Sequence, residues 1–270
     1  MYAGTTLTKI SGSVIGAHQK IDRIARKHLS IILPDVIFPS SREIIKFEGD
    51  KGPDGIKRKS PAKNEPWHFI DPNNPTKSSL IGDITSHYND LVKAIKEKDS
   101  IKISFEAAWL SHAIVDGLTP AHQYPYDKKL AKLRNGRTNE DRSTLKKKLV
   151  MPGIDGKDTL KNNWKMWGPK GLFTTHAAFE FGVAALIAPI RFREFIPNET
   201  EINQSLEIEL STLFIKSVKR VYRLKIYQEF IDNGWNIKIS QKIKDKLAPI
   251  IINTVTLIWY KAYMEAINKK

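Results

Sequence analysis

Residues Ala107 to His122 read AAWLSHAIVDGLTPAH, and the reading of this stretch decides the fold. It opens as an apolar helical run. His112 and Asp116 stand four apart, so both side chains leave the same face about one turn from each other. Pro120 lacks an amide hydrogen and disfavours continued helix, which places His122 just past the helix end, turned back toward the same pocket. Two imidazoles and a carboxylate on an otherwise apolar segment are costly to bury unless something satisfies them, and a divalent cation satisfies all three at once.

The rest of the chain repeats the pattern. Gly171 to Pro189 is a second apolar helix, carrying His176 and Glu180 in the string HAAFE, again four apart. Because the helix is apolar on both sides of the pair, the pair is expected to be buried and to need a partner. Ser13 to Ile32 has a helical period through Ile15, Ile21, Ile24, Ala25 and Leu29, with His18 and Asp22 on one face. His28 reads as a surface residue in the basic stretch Arg26 to His28. His87, beside Tyr88 on the amphipathic helix Ser79 to Lys98, reads as a polar group at the surface or behind a ligand.

Between these helices the texture changes. Pro34 to Pro75 is rich in Pro, Gly, Asp and Lys and reads as loop. It offers Asp50 and Asp54 in EGDKGPDG and His68 between Trp67 and Phe69 as further ligands. Tyr124 to about Lys170 has few apolar positions, much lysine and arginine, and Trp164 and Trp167 near its end. That composition suits either a solvated insertion or a basic flap with aromatics placed against a lipid interface or a phosphate backbone. Ser205 to Phe230 and Ala248 to Asn268 read as long helices, the last with Ile251, Val255, Ile258, Trp259 and Tyr263 as core candidates. Strand signals are scarce, so the expected fold is all-α, a single domain over residues 1–270 built around buried metal-binding helices, with a basic insertion at about 124–170.

Composition narrows the chemistry. The chain has 270 residues and no cysteine, which excludes disulfides and Cys-type zinc sites and leaves His, Asp, Glu and backbone groups to hold any metal. The formal charge of +15 favours polyanionic partners such as an anionic membrane surface or nucleic acid. No basic start followed by an apolar core is visible in the first twenty residues, and neither Phe181 to Ile190 nor Ile250 to Tyr260 approaches the ~20 apolar residues of a membrane span. The chain as it stands is expected in the cytoplasm, or outside the cell if a leader has been removed.

With these residues in place, the sequence resembles the bacterial zinc-dependent phospholipases C, which share a fold with the S1/P1-type nucleases. The resemblance rests on His-x-x-x-Asp followed by Pro-x-His, here His112, Asp116, Pro120 and His122, and on the later His-x-x-x-Glu of His176 and Glu180. His18 matches a histidine on the family's first helix, and His68-Phe69-Ile70-Asp71-Pro72 matches a histidine before an aromatic residue and Asp-Pro. The resemblance implies one zinc held by Asp54, His68, His112 and Asp116, with Asp50 as the fallback for Asp54. It implies a second zinc on His122, His176 and Glu180, and a third on His18 and a bridging Asp116. The family completes the third with the amine and carbonyl of an N-terminal Trp; this chain starts Met1-Tyr2, leaving the expected count at two or three Zn2+. A further departure is the roughly fifty residues between His122 and His176, far more than in the phospholipases.

The implied activity is hydrolysis of a phospholipid to diacylglycerol and a phosphorylated headgroup, with Asp54 as general base. Phe179 and Glu180 in HAAFE follow the phospholipase pattern, whereas the nuclease branch carries an Asp preceded by Trp. The alternatives are a single-strand nuclease and a metal-stabilised module that binds membranes or a partner without catalysis.

Overall fold

The computed structural model describes residues 1–2, 15–49, 52–59, 69–137, 144, 147 and 149–268. These residues form helices and connecting turns, with no strand among them, as the scarcity of strand signals implies. His68 and Asp50 lie outside the described residues.

The frame consists of helices α1 (Ala17–Ile32), α4 (Ser79–Glu97), α5 (Ser100–Gly117) and the last helix, α13 (Ala248–Asn268), which follows the short α12 (Ile237–Lys242). α13 is apolar on nearly every face, as expected of a helix with no side left to water. It packs against α1, α4, α5 and α10 (Leu210–Arg223). Trp259 is fully buried in it and donates its indole N–H to the Ala107 carbonyl at 3.2 Å, tying α13 to the middle of α5. α4 and α5 form an antiparallel hairpin. Lys98 ends α4 in the left-handed conformation, and Asp99 then caps α5 by accepting from the amides of Ile101 and Lys102.

Two stretches differ from the sequence expectation. Within Pro34 to Pro75, read as loop, the chain forms α2 (Ser41–Ile44), a 3-10 turn Ile45–Phe47 and α3 (Pro53–Lys59). The physical reason is local. Ser40 and Glu43 form a reciprocal capping box, and Pro53 with Asp54 opens α3 with a fixed φ and an acidic first turn. Ser205 to Phe230, read as one long helix, is three: α9 (Glu199–Glu207), α10 and α11 (Ile226–Asn233). Extended backbone at Ile208 breaks the first junction, and the left-handed Lys225, at φ 53°, breaks the second.

The described part of the basic insertion is helical too, with α6 (Tyr126–Leu133) and α7 (Gly156–Trp167) enclosing a small second core of Tyr126, Leu130, Met151 and Met166. α8 (Leu172–Ile187) follows. Its Gly182 lies so close to the ring of Trp235 that a Cβ would sit 2.1 Å from it, so only glycine lets Trp235 stack flat on Phe179 of the same helix. No helix among the described residues is long and apolar enough to cross a membrane.

Removing the α13–α5 tie should be felt throughout the frame. Trp259→Ala is expected to cost about 3–5 kcal/mol, read as a lowered urea midpoint, because a fully buried indole leaves a cavity the helices cannot close. An exposed aromatic such as Trp164 should cost within about 0.5 kcal/mol when truncated.

Candidate metal centre

Asp116 sits in the last turn of α5 and is buried. α5 stops immediately after it. Thr119 is extended ahead of Pro120, and a 3-10 turn, Pro120–Gln123, carries His122 back over the helix end. His122 Nδ1 donates to the Asp116 carbonyl at 3.0 Å, which fixes the tautomer and leaves Nε2 facing Glu180 Oε1 at 2.8 Å. The expectation that Pro120 turns His122 toward the pocket of His112 and Asp116 is met by this turn.

Around Asp116 the elements converge. His112 Nε2, one turn back on α5, lies 3.4 Å from Asp116 Oδ2 and 3.8 Å from Asp54 Oδ1 at the start of α3. His18 Nε2, from the first turn of α1, lies 3.4 Å from Asp116 Oδ1. The rings of His18 and His112 stack at 4.1 Å. On α8, His176 Nε2 is 3.1 Å from Glu180 Oε1, and the His122 and His176 rings stack at 5.2 Å. Of the eight sequence candidates, seven are therefore brought together: His18, Asp54, His112, Asp116, His122, His176 and Glu180.

The backbone of Met1 completes the cluster. Its ammonium donates to Asp116 Oδ1 at 3.0 Å and to Thr119 Oγ1 at 3.2 Å and lies 3.4 Å from Glu180 Oε1, while its carbonyl oxygen is 2.8 Å from His18 Nε2. Residues 1 and 2 are pinned there. The Ala17 amide at the start of α1 donates to the Tyr2 carbonyl at 2.8 Å, and the Tyr2 ring meets Phe181 of α8 edge-on. The Met1 atoms that reach the cluster belong to its main chain.

Sequence reasoning passed over Glu48. It heads the string EGDKGPDG, yet it is the buried carboxylate behind His112, whose Nδ1 lies 3.1 and 3.2 Å from its two oxygens. With Nδ1 donating to Glu48, His112 keeps Nε2 for the cluster, an arrangement that orients an imidazole and raises its basicity as a ligand. Behind it, Asp22 accepts a short bond from the Ser111 hydroxyl. Burial and the neighbouring Glu48 carboxylate push Asp22 well above the usual carboxylate range. His28, read as a surface residue, is instead buried, its Nε2 3.1 Å from the Phe192 carbonyl, because α1 turns that face toward the 188–195 segment. His87 is part-buried against Glu106 at 2.7 Å, apart from the centre.

Two sets of side chains are close enough for each to share one metal ion: His122, His176 and Glu180, and His18, Glu48 and His112. The second set competes with the set through Asp54 and Asp116. We assign Glu48 to support, because it meets His112 at Nδ1 while Nε2 faces Asp54 and Asp116. Glu180 Oε1, buried, is crowded by three nitrogen atoms, those of the Met1 amine at 3.4 Å, His122 at 2.8 Å and His176 at 3.1 Å.

The electrostatics divide the imidazoles. Burial opposes the imidazolium of His112, but Glu48 and Asp116 outweigh it and hold its pKa well above the ordinary range. At His122 burial prevails and the pKa falls to about 4. Burial likewise opposes charge on Asp116 and Glu180, yet the Met1 ammonium and the neighbouring histidines hold both well below the usual carboxylate range. Comparison of the chain with protein-family models, with curated proteins and with solved structures finds no match.

Two outcomes follow from this geometry. Glu48→Gln keeps the shape of the carboxylate but not its charge, and should weaken binding of a divalent metal by roughly 10–100-fold in competition with a chelator. A change under about twofold would mean that Glu48 does not hold His112. The second concerns protons. Glu48 and Asp116 raise the His112 pKa and so favour a proton that binding through Nε2 has to displace, whereas burial of His122 favours its neutral ring. Metal binding at pH 7 should therefore release protons, detected as a heat that varies with buffer ionisation enthalpy, and apparent affinity should rise with pH. Affinity flat from pH 6 to pH 8 would contradict this.

Proposed function

We propose that this protein is a zinc-dependent phosphodiesterase of phospholipase C type. The observation that carries the reading is the sharing of Asp116 and Glu180 among four imidazoles and a backbone amine, in a chain without cysteine. Ligands about 2.0–2.2 Å from a tetrahedral zinc lie about 3.3–3.6 Å from one another. His18 and His112 each stand 3.4 Å from Asp116, within that range; His176 and His122 approach Glu180 more closely, at 3.1 and 2.8 Å, and His112 lies 3.8 Å from Asp54. A donor set of nitrogen and oxygen atoms only suits zinc.

Three ions would be held as follows. Asp54, His112 and Asp116 would hold one, with His68 as the further ligand that the resemblance supplies. His122, His176 and Glu180 would hold another. His18, Asp116 and the Met1 amine and carbonyl would hold the third. Zinc bound there supplies charge neutralisation at the phosphate oxygens and a bound water acidified toward neutrality.

The chain's own groups supply the rest. Asp54 is the least buried of the three carboxylates, its side chain 26% exposed, so it is the one placed to accept a proton from an attacking water. Phe69 and Tyr126, stacked on each other at 5.1 Å, stand edge-on to His122 and His176 respectively and wall one side of the centre. Glu48 and the Asp116 carbonyl keep the Nε2 atoms of His112 and His122 in place. Phe179 belongs to the packing rather than to the site. It is fully buried between Tyr227 and Trp235, so its support for a lipid substrate comes from the resemblance.

One observation favours a nuclease as the second reading. Beside Phe69 and Tyr126 runs a groove of about 1200 Å³ lined by Tyr124, Tyr222, Lys128, Lys129 and Arg223, a mixture suited to stacking bases and tracking phosphates. A side-by-side assay decides. Protein purified without chelator should contain two or three zinc per chain and release diacylglycerol from phosphatidylcholine or phosphatidylinositol dispersions, cutting single-stranded DNA far more slowly. Asp54→Asn should lower kcat by on the order of 10²–10⁴-fold, and Asp116→Asn should lose most of the bound metal. Zinc below one per chain would overturn the zinc reading. Rapid DNA cleavage with negligible lipid turnover would replace the first reading with the second.

A further inference from the structure

Helix α7, Gly156–Trp167, is amphipathic the wrong way round. Its inward face is polar. The Thr159 hydroxyl oxygen accepts from the Gly153 amide at 2.9 Å, and Asn163 exchanges two bonds with the Met151 backbone, at 3.1 and 2.8 Å. Asn162 is buried on the same side, with Met166 and the partly buried Trp167 as its apolar anchors. The outward face is apolar and basic. Leu160 and Trp164, four apart, are 74% and 67% exposed, and Ile154, just before the helix, is 89% exposed. Lys157, Lys161 and Lys165, also four apart, form an exposed stripe beside them.

A water-facing helix normally does the opposite, since exposed leucine and tryptophan gain nothing from water. Here the polar inward bonds hold α7 in this orientation, so its apolar face is built into the fold. The patch continues toward the metal centre. Trp167 meets Phe173 at 4.8 Å, and Phe173, 42% exposed, lies three residues before His176 on α8.

We propose that the outward face of α7 is a docking surface for an anionic lipid bilayer. Trp164 and Leu160 would enter the interface while Lys157, Lys161 and Lys165 meet the lipid phosphates, the pattern by which a helix lies in the plane of a membrane. The lysine stripe, within a chain of formal charge +15, argues for a negatively charged partner, and the adjoining tryptophan and leucine argue for one that also takes apolar side chains. The choice of lipid over another polyanion rests on the phospholipase reading above. Docking there would bring the bilayer surface to the end of α8 that carries His176.

The test uses the full zinc-loaded chain. Co-sedimentation with vesicles of phosphatidylcholine alone and with about 30% phosphatidylserine should show preferential binding to the anionic vesicles, weakening at high salt. Leu160→Ala with Trp164→Ala should lower that partitioning by roughly tenfold or more. Lys157→Glu with Lys161→Glu and Lys165→Glu should abolish the preference for phosphatidylserine. Both variants should keep the wild-type circular dichroism and the wild-type turnover of a soluble phosphodiester such as bis(p-nitrophenyl) phosphate. Vesicle binding that the variants retain in full, or no vesicle binding by the folded wild type, would overturn the proposal. So would a wild-type dimer that the Leu160/Trp164 variant dissolves without any vesicle binding, since the face would then be covered by a second copy. So too would single-stranded DNA binding lost in the lysine variant without vesicle binding. Vesicle binding with no turnover of any phosphodiester would leave the docking surface standing and remove the hydrolase reading; turnover of the soluble diester without vesicle binding would do the reverse.

Discussion

The carboxylate of Asp116 is the constraint on which the centre of this protein depends. Its Oδ1 faces the Met1 ammonium, His18 and His122, and its Oδ2 faces His112, while the residue itself is buried. A charge so placed is tolerable only while several cationic or coordinating groups surround it. Satisfying it draws together α1, α5, the turn after α5 and the first residues of the chain. Glu180 plays the corresponding part for α8, and the Met1 amine stands between the two carboxylates. The polar groups that a helical core would ordinarily exclude are thus the ones that fix how the helices meet.

Around that centre the apolar packing supplies rigidity. α13 is buried among α1, α4, α5 and α10 and is tied to α5 through Trp259. α5 is therefore held along its length by apolar contacts and at its end by charges. The imidazoles are held again from behind, His112 by Glu48 and His122 by the carbonyl of Asp116. Imidazoles held from behind in this way keep a fixed orientation, as a metal-binding site would require. The insertion is built differently: its own core is small, and its helix α7 spends polar side chains inward and apolar ones outward.

Much of the fold was legible in the sequence because the long helices carry strong apolar periods. α4, α8 and α13 lie within a residue or two of where those periods place them. The failures have specific causes. The short helices between Pro34 and Pro75 rest on a capping box and a leading proline rather than on a period, and composition hid them. The break at Lys225 depends on a lysine adopting a left-handed backbone, for which residue type gives no warning. His28 looked solvated among Arg26 and Lys27, but a side chain's exposure depends on what packs over its face.

The sequence by itself determined the four-residue spacing of His112 with Asp116 and of His176 with Glu180, and the bend that Pro120 imposes before His122. Helical geometry and proline chemistry act over four or five residues, so these are settled locally. Only the tertiary structure decided that α1, α3, α5 and α8 point their histidines and carboxylates at one place, that Glu48 rather than a nearer acid stands behind His112, and that backbone atoms of Met1 fill the remaining side. Those relations join residues up to more than a hundred positions apart. They are fixed by which helix faces find room against one another and by the need to neutralise Asp116 once it is buried, and no local pattern in the chain encodes either.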